Sequence, residues 1–164
     1  KIYSMNEVKV TNDMFLTARE KAVEVGKLNN SILNGGGNLA GFIGEQVALN
    51  VLGGEWVNTY QYDLIIKGFK VDVKTKQTSV KPLPHYECSI TQVNSTQECD
   101  YYAFTRVKKD FSTGWYLGVM PKNQYFQKAK FLKKGDVDPA NNYVVRASCY
   151  NLAIEDLEER IPWN

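Results

Sequence analysis

Cysteine and histidine are scarce in this chain, whose 164 residues contain three cysteines and one histidine. The cysteine count is odd and no two cysteines form a CxxC pair, so we do not expect a disulfide framework. Reduced thiols are typical of a cytoplasmic protein, and we expect that location. His85 together with Cys88 and Cys99 matches no standard zinc spacing and lacks a fourth ligand, which argues against a zinc site.

Long apolar runs and a strong charge of one sign are also absent. No apolar run reaches the roughly 20 residues that cross a bilayer, so we expect no membrane contact. Twenty basic and 18 acidic residues give a net charge of +2. That charge is too small to indicate a nucleic-acid partner, for which the local arrangement of lysines matters more. The length and the ordinary composition predict one globular domain over residues 1–164.

The stretch Tyr62–Lys76, with the sequence YDLIIKGFKVDVKTK, predicts two short strands joined by a turn at Lys67-Gly68. Counting outward from that turn places Asp63 opposite Asp72. Cβ atoms of directly opposite residues lie about 4.5–5.5 Å apart, where like charges destabilise a sheet. Either one carboxylate takes up a proton or a divalent cation lies between the two. The alternate face of the hairpin is apolar and consists of Tyr62, Leu64, Ile66, Phe69, Val71 and Val73.

Asp63 followed by Asp72-Val73-Lys74 resembles the D…(D/E)xK signature of the PD-(D/E)xK nuclease superfamily. This superfamily includes restriction enzymes, Holliday-junction resolvases and phage endonucleases. Glu45, in the segment GFIGEQVALNVL, matches the glutamate that the family often adds from a preceding helix. Tyr62 replaces the proline of the nominal motif, a departure that is common in the superfamily. The resemblance covers roughly residues 41–78.

The resemblance implies an α/β fold with a restriction-endonuclease-like core, in which helices flank a central mixed β-sheet. It also implies a metal-dependent DNA endonuclease that hydrolyses phosphodiester bonds with Mg²⁺, for which Mn²⁺ substitutes. A branched or duplex DNA substrate would further imply a homodimer. The catalytic residues implied by the resemblance are Glu45, Asp63, Asp72 and Lys74. The metal ligands that it implies are Asp63, Asp72, the backbone carbonyl of Val73, and Glu45 directly or through water.

The run QTSVKPLP contains too much proline for a strand interior and predicts a loop at the mouth of the site. Lys76, Lys81 and His85 are candidate contacts to DNA phosphates there. Two alternatives stay open. One is a catalytically inactive nucleic-acid-binding module of the same fold, and the other is a phage or mobile-element interaction protein with a purely structural hairpin.

Apolar residues at helical spacing predict helices over Thr11–Leu28 and Leu39–Leu52. The glycine-rich segment Asn30–Asn38 between them predicts a flexible connection, because it lacks the lysine and serine of a phosphate-binding P-loop. The same patterns predict strands over Tyr86–Thr91, Tyr101–Val107, Trp115–Met120 and Tyr143–Tyr150, and short helices over Gln92–Asp100, from Pro121, and over Ile154–Arg160.

Overall fold

The protein is described here by a computed structural model, which covers residues 5–28 and 36–158. The helices are α1 (Asn12–Leu28), α2 (Gly36–Leu52) and α3 (Lys122–Lys128). The strands are β1 (Asn6–Lys9), β2 (Glu55–Trp56), β3 (Leu64–Ile66), β4 (Phe69–Thr78), β5 (Glu87–Thr91), β6 (Tyr101–Lys108), β7 (Thr113–Pro121), β8 (Lys130–Leu132) and β9 (Cys149–Ala153).

The central sheet contains six strands in the order β1-β7-β6-β4-β3-β2. β4 and β6 run parallel, whereas the other neighbouring pairs are antiparallel. A second sheet of three antiparallel strands has the order β5-β9-β8. The prediction of an α/β protein with a mixed central sheet is therefore confirmed.

The two faces of the central sheet bury different kinds of side chain. On one face, Ile43 and Val47 of α2 pack with Val71 and Val73 of β4, and α1 packs against α2. These aliphatic side chains recur at helical spacing in α2 and at every second residue of β4, so each element presents one apolar surface to the other.

The opposite face of the central sheet is covered by the second sheet and by α3. Its core is aromatic: the ring centroids of Phe104 and Tyr125 stack 5.3 Å apart, and Tyr102 packs against both rings. Cys88 and Ile90 of β5 are buried in the same cluster, because alternate residues of that strand face inward. The candidate site described below lies where these two layers meet the edge of β4.

The hairpin forms with the predicted turn and register. Leu64 pairs with Val71, and the turn residues Lys67 and Gly68 have φ angles of 48° and 84°. Positive φ at both central residues is the geometry whose twist matches that of the flanking strands, and glycine adopts it without steric strain. Local sequence chemistry is therefore sufficient to place β3 beside β4.

The predicted pairing of Asp63 with Asp72 was wrong, because the ladder ends at Leu64 and Val71. The N–H of Asp63 donates to the Val71 carbonyl at 2.9 Å, so two residues of the first strand oppose one residue of β4, as in a β-bulge. The bulge turns Asp63 toward the backbone of β4, where its Oδ2 accepts a hydrogen bond of 2.8 Å from the Val73 N–H. Asp63 thus accepts a hydrogen bond from a backbone N–H of β4 that lies beyond the end of the pairing with β3.

Three predicted strands are confirmed as β5, β6 and β7, and the helix that follows Pro121 is α3. The predicted strand Tyr143–Tyr150 was wrong, because the last strand is β9, which begins at Cys149. Val144 instead forms an isolated antiparallel bridge with Val137. β1, β2 and β8 were not predicted, and each has four residues or fewer.

Two predicted short helices are single 3₁₀ turns. The segment predicted as Gln92–Asp100 is helical only over Gln92–Asn94, and the segment from Ile154 is helical only to Asp156. Residues 159 and 160 of the second prediction, and residues 30–35 of the glycine-rich connection, lie outside the described residues. Residues 36–38 of the predicted connection instead form the start of α2, which begins at Gly36. Among the helices of the described ranges, none is long and apolar enough to cross a membrane.

Gly44 lets α2 approach the central sheet closely next to Glu45. A Cβ atom at Gly44 would lie 2.0 Å from the Thr75 Oγ1 and 2.6 Å from the Thr105 Oγ1, and these two hydroxyls are hydrogen-bonded to each other at 2.8 Å. We expect Gly44→Ala to lower the free energy of unfolding by about 1–3 kcal/mol, because the helix must move away from the sheet. Urea denaturation measures the change.

Gly41, one turn earlier in α2, is the matched control, since a Cβ atom there meets nothing within 4 Å. Gly41→Ala should raise the free energy of unfolding by up to about 1 kcal/mol, because alanine is the better helix former. Equal effects of the two substitutions would contradict the close approach at Gly44.

Candidate active site

One edge of β4 lacks a strand partner in the described residues beyond Val71. β3 pairs with β4 only as far as Val71, whereas β6 pairs with the other edge of β4 from Val71 to Thr78. The N–H and carbonyl of one strand residue point to the same side, so the Val73 carbonyl faces the open edge together with its N–H. The side chains of Asp72 and Lys74 lie on the sheet face opposite α2.

Asp72, Lys74 and Gln97 form a compact polar cluster at this edge. The Lys74 Nζ lies 2.8 Å from the Asp72 Oδ2 and donates to the Gln97 Oε1 at 2.8 Å. The Gln97 Nε2 donates to the Tyr60 carbonyl at 2.7 Å and to the Asp72 Oδ1 at 3.3 Å. The two donor bonds fix the orientation of the Gln97 amide, so its oxygen faces the lysine.

Glu45 reaches the same edge from α2. Its Oε1 accepts hydrogen bonds from the Trp56 Nε1 at 2.8 Å and from the Asn58 Nδ2 at 2.6 Å. Trp56 lies in β2 and Asn58 follows it, with a φ of 47°. The strand that precedes the hairpin therefore holds the helix glutamate in place.

The three carboxyl groups are buried, with exposed fractions of 6% for Glu45, 7% for Asp63 and 3% for Asp72. Burial raises the pKa of Glu45 to about 7, against the hydrogen bonds from Trp56 and Asn58, which lower it. Burial and the negative charges of Glu45 and Asp72 raise the pKa of Asp63 well above its usual range. Burial also raises the pKa of Asp72, although the Lys74 ammonium partly offsets this. The fold therefore buries three acidic side chains in surroundings where their charged forms are less stable than in water.

These residues fit a hard divalent cation. The Asp72 Oδ2 is buried, and its charge partner is the Lys74 ammonium at 2.8 Å. Within residues 5–28 and 36–158, no set of three His, Cys, Asp or Glu side chains is arranged to hold a metal ion unaided. Mg²⁺ needs only one or two carboxylates and keeps several waters. The groups that would hold such an ion are Asp63, Asp72 and the Val73 carbonyl, with Glu45 nearby.

The raised pKa of Glu45 predicts how the stability of the metal-free protein depends on pH. Between about pH 4.5 and pH 7 the folded protein binds more protons than the unfolded chain, so its free energy of unfolding falls as pH rises through 7. We expect a loss on the order of 2–3 kcal/mol from Glu45 between pH 5 and pH 8. Urea denaturation in EDTA across this range measures it.

The control for this pH dependence is Glu45→Gln, which keeps an oxygen to accept from Trp56 and Asn58 but does not titrate. The variant should be more stable than the wild type at pH 8 and should lose less stability on going from pH 5 to pH 8. A wild-type pH profile in the variant would contradict the assignment to Glu45.

The predicted DNA contacts do not all lie at this edge. The Lys76 Nζ donates to the Glu87 carbonyl at 3.2 Å, two residues beyond Lys74 on the same side of β4. Lys81 is exposed in the loop after β4. His85 is exposed further along, where its ring packs against Tyr86 with centroids 5.0 Å apart.

Sequence reasoning missed Gln97, Trp56 and Asn58, which hold the charged groups of the site. The segment around Gln97 was predicted as a helix, and no local pattern shows that its amide meets a lysine 23 residues earlier in the chain. The three cysteines are free and buried. The chain matches no protein-family model and no curated protein sequence.

Proposed function

We propose that this protein is a metal-dependent endonuclease that hydrolyses phosphodiester bonds in DNA, on a restriction-endonuclease-like core. One observation carries the proposal: Glu45, Asp63 and Asp72 are buried together at the open edge of β4, beside the Lys74 ammonium. Burying three acids whose pKa values are all raised does not stabilise the folded protein. Such clusters are typical of functional sites, and a bound cation would balance their negative charge.

Each side chain has a role that follows from its position. Asp63 and Asp72 would bind the ion together with the Val73 carbonyl, and Glu45 would orient a water molecule next to it. Mg²⁺ or Mn²⁺, when bound, polarises the phosphate and acidifies water. Lys74 carries positive charge to the position where negative charge grows on the phosphate as water adds to phosphorus and the ester P–O bond breaks. Gln97 holds the lysine for that role.

A cleavage assay on supercoiled plasmid and on circular single-stranded DNA, each with a titration of Mg²⁺ and Mn²⁺, tests this function. We expect cleavage of at least one of these substrates with either ion and of neither in EDTA. The competing hypothesis is a nucleic-acid-binding module that does not cleave. DNA binding without cleavage at any concentration of either ion would favour that module.

Lys81 is proposed to contact only the DNA backbone, because its loop lies beyond the end of β4. Lys81→Ala should weaken DNA binding and reduce the salt dependence of affinity by about one counterion. Its single-turnover cleavage rate at saturating DNA should stay close to that of the wild type. A changed rate at saturation would place Lys81 at the reacting phosphate instead.

A further inference from the structure

A groove runs from Lys74 along the junction of the central and second sheets. Three adjoining cavities of about 270, 420 and 400 Å³ form it, and Lys76 and Ser89 line all three. Lys74 lines the first cavity, so one end of the groove opens at the candidate active site. Volumes of this size suit one small ligand or one unit of a polymer at a time.

Two cations without an acidic partner lie in the wall of this groove. The Lys76 Nζ and an Arg106 Nη both donate to the Glu87 carbonyl oxygen, at 3.2 and 3.0 Å, so the two positive groups lie close together. The ion pairs of the described residues include neither of them. The carboxylates of Glu87 and Asp138 also line the second cavity, and both pair with Lys130, at 3.2 and 3.0 Å. Adjacent cations outside any ion pair favour an anionic ligand.

The groove also offers apolar and aromatic surface between its charges. Phe104 forms part of the wall of the first cavity, where the buried Thr91 Oγ1 has no hydrogen-bond partner. Tyr143, which is 51% exposed, lines the other two cavities. An apolar wall with an unpaired hydroxyl suits a nucleobase, and exposed aromatic rings are platforms on which unpaired bases stack.

The spacing of the two lysines along β4 is similar to the repeat of a nucleic-acid strand. Lys74 and Lys76 project from the same side of β4, and their Cα atoms are about 6.6 Å apart at the rise of a β-strand. Successive phosphates of an extended single strand have a similar separation. A phosphate at Lys74 thus places its neighbour beside Lys76 and Arg106, with the intervening base directed toward the first cavity.

We propose that this groove binds the unpaired strand of a DNA substrate next to the scissile phosphate, so that the enzyme acts on single-stranded or forked DNA rather than on continuous duplex. The inference rests on the proposed nuclease function for the identity of the polymer. Lys76 and Arg106 hold the adjacent phosphate, and the first cavity receives the base between that phosphate and the scissile one.

Binding in EDTA tests the groove without any cleavage. Fluorescence anisotropy is measured with labelled oligothymidylate, a blunt duplex and a fork with one unpaired arm. The wild type should bind the single strand and the fork at least about tenfold more tightly than the duplex. Lys76→Met should weaken single-strand binding several-fold and reduce the salt slope by about 0.7. Lys9→Met removes the same charge from the opposite edge of the central sheet and should change nothing.

Ser89→Phe is a second variant, designed to fill the groove without a change of charge. It should weaken binding of the single strand and the fork about tenfold, with a melting temperature that confirms folding. If the wild type binds duplex as tightly as the single strand, or if both groove variants bind like the wild type, the groove proposal is overturned even when metal-dependent cleavage is observed. If neither ion supports cleavage of plasmid or of single-stranded DNA but the variants lose single-strand binding, the nuclease function fails and the groove stands.

Discussion

Lys74→Met is expected to reduce DNA cleavage by at least about 100-fold while DNA binding in Ca²⁺ changes little. The Lys74 Nζ is held at 2.8 Å from both the Asp72 Oδ2 and the Gln97 Oε1, so its charge is positioned before substrate arrives. A preorganised charge acts mainly on the transition state, where its loss lowers turnover rather than affinity. Single-turnover cleavage and anisotropy on the same substrate separate the two quantities.

Lys70 provides the matched control, since it lies on the same strand and the same side of β4, about 13 Å from Lys74. Its Nζ lies over the Tyr62 ring, 5.4 Å from the centroid, at the exposed end of the hairpin. Lys70→Met should cleave at nearly the wild-type rate. If Lys74→Met cleaves DNA at the wild-type rate, this edge of β4 does not take part in the chemistry, and the hypothesis of a binding module is favoured.

Mg²⁺ or Mn²⁺ is expected to stabilise the protein, because the ion binds the folded state and relieves repulsion among the buried carboxylates. At a concentration 100 times the dissociation constant, the free energy of unfolding should rise by about 2.7 kcal/mol. For a chain of this length, that corresponds to an increase in melting temperature of about 5–10 °C. Asp72→Asn should abolish the increase, since it removes the negative charge of a buried carboxylate that is proposed to bind the ion.

Asp138→Asn is the control for a buried carboxylate outside the site. Asp138 is 2% exposed, and hydrogen bonds with the Ala140 N–H, the Glu87 carboxyl and the Lys130 ammonium outweigh its burial and lower its pKa to about 2. The variant should start from a lower melting temperature but keep the full shift with metal. A full shift in Asp72→Asn would place the metal elsewhere in the molecule.

The hairpin and the two long helices were predicted correctly because their signals are local. A glycine after lysine selects a turn with two positive φ angles, and apolar residues at strand or helix spacing select the buried face. Counting outward from the turn gave the wrong partner for Asp63. The regular strand pairing ends at Leu64 and Val71, and the Asp63 carboxylate accepts a hydrogen bond from the Val73 N–H instead. A bulge depends on which backbone N–H and carbonyl groups of the neighbouring strand are left unpaired, and the sequence alone does not show which groups those are.

The sequence by itself determined the hairpin, its turn, and the presence of Asp63, Asp72 and Lys74 on it. The resemblance implied that Glu45 belongs with them, but the contact depends on how α2 packs on the sheet, and only the tertiary structure shows that Gln97 holds the lysine. These contacts join residues far apart in the chain, and they depend on the layering of α2, the central sheet and the second sheet. The groove beside Lys76 has the same origin, because two sheets must pack before a space exists between them.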